Sequence, residues 1–251
     1  MVVIDQAVEP VLAIQQQVIA NELRLASNRC LRYVAPLTVD INSPVAGAEQ
    51  YIIPAIKRID YNQLNDSYEG VSEFCKALDD LIEIEKDTEL LVGKQVLEIG
   101  FSTGIPSLFA LDCGANEVTI HSFDKLTIDT CIQPSLRRNN VPQTMYKFTT
   151  GDLQSCIQNL NKTYDVILAP EFIMADEDLF GDLHSILEAA LSPNGIILLS
   201  GRSHYSHCSG SIVAFLELVK MRGCFDAHIR WTSPKSEVGS RKLIQMTRCL
   251  R

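Results

Sequence analysis

No apolar run in this 251-residue chain reaches the roughly 18 residues that cross a bilayer, so no membrane-spanning helix is expected. The opening stretch, MVVIDQAVEP, has neither a basic n-region nor a cleavage site, so no secretory signal is expected either. The expected location is the cytoplasm, the nucleus or both. The eight cysteines contain no C-x-x-C pair, a pattern that suits reduced, buried thiols better than disulfides or a zinc cluster. His204-Tyr205-Ser206-His207-Cys208 is the one grouping that suggests a metal. It has no second ligand cluster to complete it, and a loop lining a substrate groove is the better reading, so no metal site is assigned. There is no G-x-S-x-G and hence no nucleophile elbow, no internal repeat and no low-complexity tract. Positive charge is also short: 22 Lys and Arg against 31 Asp and Glu give a net charge of −9, which disfavours a bare nucleic-acid binder. An acidic surface would suit a basic protein substrate.

What is present is a globular chain, 46% apolar and 21% charged, able to bury a full core. Pro10 is placed to open a helix through Val11, Leu12, Ile14, Val18, Ile19 and Leu23, which Ser43-Pro44 and Pro54 then interrupt. Residues 1–63 are therefore expected to be a helical, accessory or docking extension, followed by a second unit over 64–251. A mixed apolar and acidic helix is expected from Glu73 to Leu91. Strands are then expected at Lys94–Ile99, Glu117–Phe123, Met145–Thr149, Tyr164–Ala169 and Ile196–Ser200. Helices are expected between them, near 105–113, 126–138, 154–160 and 178–191. This alternation implies an α/β fold with a doubly wound, Rossmann-like parallel sheet.

After a helix near 211–222 come Phe225–Trp231, a turn containing Pro234 and Gly239, and Lys242–Thr247. Two strands joined by a turn make a C-terminal antiparallel β-hairpin. Five parallel strands closed by a hairpin form the seven-stranded organisation of methyltransferases that use S-adenosylmethionine (SAM). A nicotinamide-binding protein does not need such an ending.

The stretch LEIGFSTG, residues 97–104, then acquires a meaning. A strand ending in Glu98 enters a turn, Gly100-Phe101-Ser102-Thr103-Gly104, before an apolar helix; this is how a βαβ unit brings main-chain N–H groups close to a ligand. Glu98 could reach the cationic end of SAM, or cap the following helix. Asp124, beside Lys125, could accept from the ribose hydroxyls, or serve as an N-cap. Asp152 and Leu153 follow Gly151 and could meet the adenine, although Gly-Asp is also a common turn. Ala169-Pro170-Glu171 ends the fourth strand and places Glu171 near the reacting methyl.

Several segments resemble the histidine protein methyltransferases. Asp66-Ser67-Tyr68-Glu69-Gly70 is similar to that family's Y-E-G-G motif, and Ser200-Gly201-Arg202-Ser203-His204-Tyr205 to its S-K-A-H-Y stretch. Between them lie further matches at Gly93–Gly100, at Ile120-His121 up to Asp124, and at Tyr164–Leu168 with the Glu171 turn. The resemblance covers residues 64–248, and it implies methylation at Nτ of a histidine in a basic ribosomal protein, uL3, by a monomer. It also implies that Glu171, or the His204 and Tyr205 pair, hydrogen-bonds the far ring nitrogen. The stretch Glu73, Phe74, Cys75 and Lys76 would line the cofactor site together with Gly100, Phe101 and Gly104. Where the family has Lys, Trp and an acidic residue, this chain has Glu73, Cys75 and Lys76. Two rivals follow from the same residues: a protein-lysine methyltransferase of this fold, and a non-catalytic binding protein that kept it.

Overall fold

The computed structural model describes residues 18–36, 51–53, 56–59, 61–152, 156, 162–233 and 239–249. The expected breaks at Ser43-Pro44 and Pro54, most of the 154–160 helix, Leu153 and the turn at Pro234 lie outside them.

Strands β5 (Gln95–Glu98), β6 (Glu117–Ser122), β7 (Tyr146–Thr150), β8 (Tyr164–Ala169) and β9 (Leu191–Arg202) are mutually parallel wherever they pair. With β10 (Phe225–Thr232) and β11 (Arg241–Arg248) they form one seven-stranded sheet in the order β10-β11-β9-β8-β5-β6-β7. β11 runs antiparallel to both β9 and β10, so the hairpin is inserted with its second strand inside. The central strands are continuous apolar runs buried on both faces, such as Val166, Ile167 and Leu168, as a covered parallel sheet requires.

Helix α2 (Ile105–Asp112) crosses from β5 to β6, and α5 (Phe180–Ala190) crosses from β8 to β9 in the opposite direction along the sheet. Right-handed crossovers therefore put the two helices on opposite faces. α6 (Ile212–Arg222) packs with α5 and against β10. Between β6 and β7 lie α3 (Lys125–Thr127), a π-helical turn over Ile128–Ile132 and α4 (Gln133–Arg138), whose last turn carries Arg137 and Arg138 at the negative end of the dipole. The chain moves outward from β5 to β6 and β7, then returns to β8 on the other side of β5. The switch point, where such sheets bind ligands, lies between β5 and β8.

Two expectations are corrected. The helix expected through Leu23 is not formed over its described part: Val18–Arg24 is a strand, β1, paired antiparallel with β2 (Cys30–Pro36). Its inward-facing residues Leu23 and Leu31 join the main core, and a ribbon achieves this where a lone amphipathic helix would leave the backbone of 30–36 unpaired. A second short ribbon pairs β3 (Tyr51–Ile53) with β4 (Ile56–Ile59). The helix expected over 73–91 is α1, Tyr61–Glu83. Its buried stripe runs through Leu64, Ser67, Val71, Phe74, Leu78 and Leu81 at helical spacing, and a serine in the stripe and a glycine beside it hide the pattern. Lys86, with φ +61°, turns the chain out after the helix ends.

Candidate active site at the switch point

The glycine turn after β5 is organised by Glu98. Its carboxylate, wholly buried, accepts from Thr103 N–H at 2.9 Å and Gly104 N–H at 2.8 Å through Oε1, and from Ser107 N–H at 2.9 Å through Oε2. Burial pushes its pKa up, and the bonds from Ser107, Gly104 and Thr103 pull against that. Glu98 thus caps the turn and the start of α2. Phe101 N–H donates to Pro170 O at 2.9 Å, which ties this turn to the one after β8, and Ser102 N–H donates to Gly100 O. Gly100 has φ +112°, and a Cβ there would lie 2.6 Å from Pro170 O, so only glycine fits between the two turns. The Phe101 ring is buried, edge-on to Tyr68 at 5.5 Å, and Tyr68 stacks on Tyr33 of β2 at 6.1 Å. Ser102 Oγ is shielded from solvent with no hydrogen-bond partner among the described residues.

Asp124, half-buried at the end of β6, is the N-cap of α3: Oδ1 accepts from Thr127 N–H at 2.7 Å and Oδ2 from Thr127 Oγ1 at 2.8 Å. Each oxygen keeps a second lone pair. Lys125 is exposed and pairs with Asp129 one turn on. Asp152 is exposed after Gly151, whose φ of +129° turns the chain at the end of β7.

Ala169 and Pro170 are buried, and Glu171 follows with φ +48°, a left-handed backbone unusual outside glycine. Its side chain, 1% exposed, receives Tyr205 Oη–H on Oε2 at 2.8 Å and Arg241 Nε–H on Oε1 at 3.2 Å. Burial raises its pKa, opposed first by the Arg241 charge and then by the Tyr205 bond. Tyr205 Oη also accepts from Arg202 N–H, while His204 beside it is exposed. Glu171 and Tyr205 are therefore in direct contact, and the side chain of His204 stands outside that contact. On α1, Glu73 Oε2 pairs with Arg241 Nη1 at 3.0 Å, Phe74 and Cys75 lie in the core, and Lys76 is exposed. Burial pushes the Cys75 thiol well up.

Sequence reading missed Arg241. It is a cation at the head of β11 whose alternation places it on the same buried side as Leu243, and that was the available signal.

The strand order, hairpin and switch-point turn together define the SAM-dependent methyltransferase fold. Magnesium protoporphyrin IX methyltransferase from Synechocystis PCC 6803, solved with bound SAH, superposes with a TM-score of 0.57 at 13% identity, covering 78% of this chain and 91% of that one. No protein-family model matches the chain. F22B7.9, an uncharacterized protein of Caenorhabditis elegans, is 39% identical over 91% of this chain and 93% of its own length. The histidine protein methyltransferase 1 homolog of Bos taurus is 28% identical over 72% of this chain and 56% of its own length. This chain spans about half the length of the histidine protein methyltransferase homologs it matches. It belongs to the family that includes F22B7.9 and is a distant homologue of the histidine protein methyltransferase 1 homologs.

Proposed function

We propose that the chain is a SAM-dependent methyltransferase acting on a ring nitrogen of a protein histidine, with uL3 as the protein to test first. The observation that carries the reading is the distant homology to the histidine protein methyltransferase 1 homologs, which extends over 72% of this chain for the Bos taurus protein and 64% for the Dictyostelium discoideum protein.

The residues present fit the cofactor. Asp124 offers two oxygens, each with a spare lone pair, for a pair of ribose hydroxyls. Asp152 is exposed at the end of the next strand, and Gly100 keeps the floor between the turns thin. The N–H groups of Phe101, Ser102, Thr103 and Gly104 are all used within the protein, so the unpartnered Ser102 hydroxyl is the group in the turn that would be left to donate to a bound cofactor.

Bound SAM supplies an electrophilic methyl. An imidazole with an ordinary pKa near 6.5 is mostly neutral at about pH 7 and is itself the nucleophile, so no strong base is needed before attack. The protein's task is to present one ring nitrogen and then take the proton from the other. Glu171, closed off by two partners, serves this by seating Tyr205 and through it the 202–205 loop; His204, exposed on that loop, is the group able to accept the proton.

The test is incubation of the purified chain with methyl-labelled SAM and uL3, followed by amino-acid analysis. Label recovered as Nτ-methylhistidine, and lost with Asp124→Ala, is expected. Label on lysine, or none, contradicts the reading. The burial of Glu171 with both oxygens engaged favours one alternative, a binding protein that kept the fold, and the absence of label would select it.

A further inference from the structure

Among the described residues, Arg241 makes a dense set of side-chain hydrogen bonds to which the proposed function gives no role. Its side chain is 1% exposed. Nε–H donates to Glu171 Oε1 at 3.2 Å, Nη1–H to Glu73 Oε2 at 3.0 Å, and Nη2–H to both the carbonyl and Oδ1 of Asp66, each at 2.7 Å. One guanidinium from β11 thus joins the turn after β8 to two turns of α1. Asp66 Oδ1 also receives Arg202, whose Nη1–H donates to Gly239 O at 3.1 Å. Arg202 and Tyr205 flank His204, and Ser203, between Arg202 and His204, is fixed by its N–H and Oγ on Ser240 O. The head of β11 is itself clamped, because Arg241 N–H donates to Ser233 Oγ and Ser233 N–H returns to Arg241 O. Gly70 shows how closely α1 is pressed to this point: a Cβ on it would lie 2.4 Å from Glu171 Oε1 and 3.0 Å from Arg241 Nε.

We infer that Arg241 is a positioning residue of the proposed transfer site, holding Glu171 as an anion and, through Asp66 and Arg202, giving the loop that carries His204 a single seating. The inference rests on the reading in the preceding section. The charged groups acting on Glu171 are Arg241 from β11, Asp66 from α1 and Arg202 from β9, with the Tyr205 hydroxyl as the neutral donor, while Glu73 of α1 pairs with Arg241. A lysine cannot reproduce this, since one ammonium cannot reach three separated acceptors in fixed directions. A methionine would leave Glu171 buried with Tyr205 as its one side-chain donor, and a carboxyl so placed takes up a proton.

The test uses the full chain with Arg241→Met, Arg241→Lys and the double variant Arg241→Met with Glu171→Gln. Infrared spectra at about pH 7 are expected to show the carbonyl stretch of one protonated carboxyl in Arg241→Met, absent from wild type, from Arg241→Lys and from the double variant. Methyl transfer from labelled SAM to uL3 is expected to fall roughly tenfold or more in Arg241→Lys, while SAH affinity stays within about twofold of wild type. An Arg241→Met spectrum without that band, or a band that survives in the double variant, overturns the inference; so does wild-type transfer by Arg241→Lys. Should Arg241→Met fail to fold, transfer by Arg241→Lys decides. A wild type that binds no SAH sinks the functional reading instead, and the infrared result still decides whether Arg241 holds Glu171 charged.

Discussion

Glu98 and Glu171 each lie at the carboxyl end of a parallel strand, on either side of the switch point, and both are almost fully buried. They are held in opposite ways. Glu98 is satisfied by three main-chain N–H groups within nine residues of itself, from the turn it introduces and the first turn of α2. Glu171 is satisfied by side chains 34 and 70 residues away, on the loop after β9 and at the head of β11. The first arrangement is local and makes a rigid floor for a ligand. The second depends on the whole fold being assembled, and it places the alignment of the site under the control of α1 and the terminal hairpin.

The largest test of this contrast is Arg241→Met. It strips the buried Glu171 carboxyl of its counter-charge, so that the group must take up a proton, and is expected to cost about 3–5 kcal/mol of unfolding free energy in urea titrations; adding Glu171→Gln is expected to return part of that loss. A double variant no more stable than the single one would break the link between the two residues.

His121 sharpens the comparison, being buried with Thr149 Oγ1 at 3.0 Å from Nδ1 and no ion pair among the described residues. Burial lowers its pKa from 6.5 to about 4. The unfolded chain therefore binds a proton in that window that the folded chain refuses, so stability is complete above 6.5 and is lost as pH falls toward 4, on the order of 3 kcal/mol. His121→Gln is expected to flatten this acid limb, measured as urea midpoints across the window.

Glu98→Gln retains an acceptor but loses the charge that three N–H groups face, and is expected to cost about 2–3 kcal/mol. Because the effect is local, it is expected to add to that of Arg241→Met without coupling. Gly70→Ala is the smallest. The gain of about 1 kcal/mol in helix propensity is opposed by the clash with Glu171, and a net loss of about 1 kcal/mol is expected in the same titrations.

The same contrast explains what could be read from the sequence. The parallel strands and the hairpin were legible because each is a short apolar run bounded by turn residues; Tyr164–Ala169 was placed to the residue. Glu98 and Asp124 were legible as caps because their partners lie within nine and three residues. The ribbon over Val18–Arg24 was not, since its spacing suits a helix until Cys30–Pro36 is known to pair with it. The start of α1 was hidden by Ser67 and Gly70, small for packing reasons that only the neighbouring Met174 and Glu171 supply. For Arg241, alternation with Leu243 signalled burial but not its partners, which are up to 175 residues distant.

The most direct test of the central claim is calorimetric titration of the purified chain with SAH, alongside Asp124→Ala. One site, with binding lost or reduced at least tenfold in the variant, is the predicted result. A folded wild type that takes up no SAH, or a variant that binds it equally well, would contradict the placement of a methyltransferase cofactor at these strand ends.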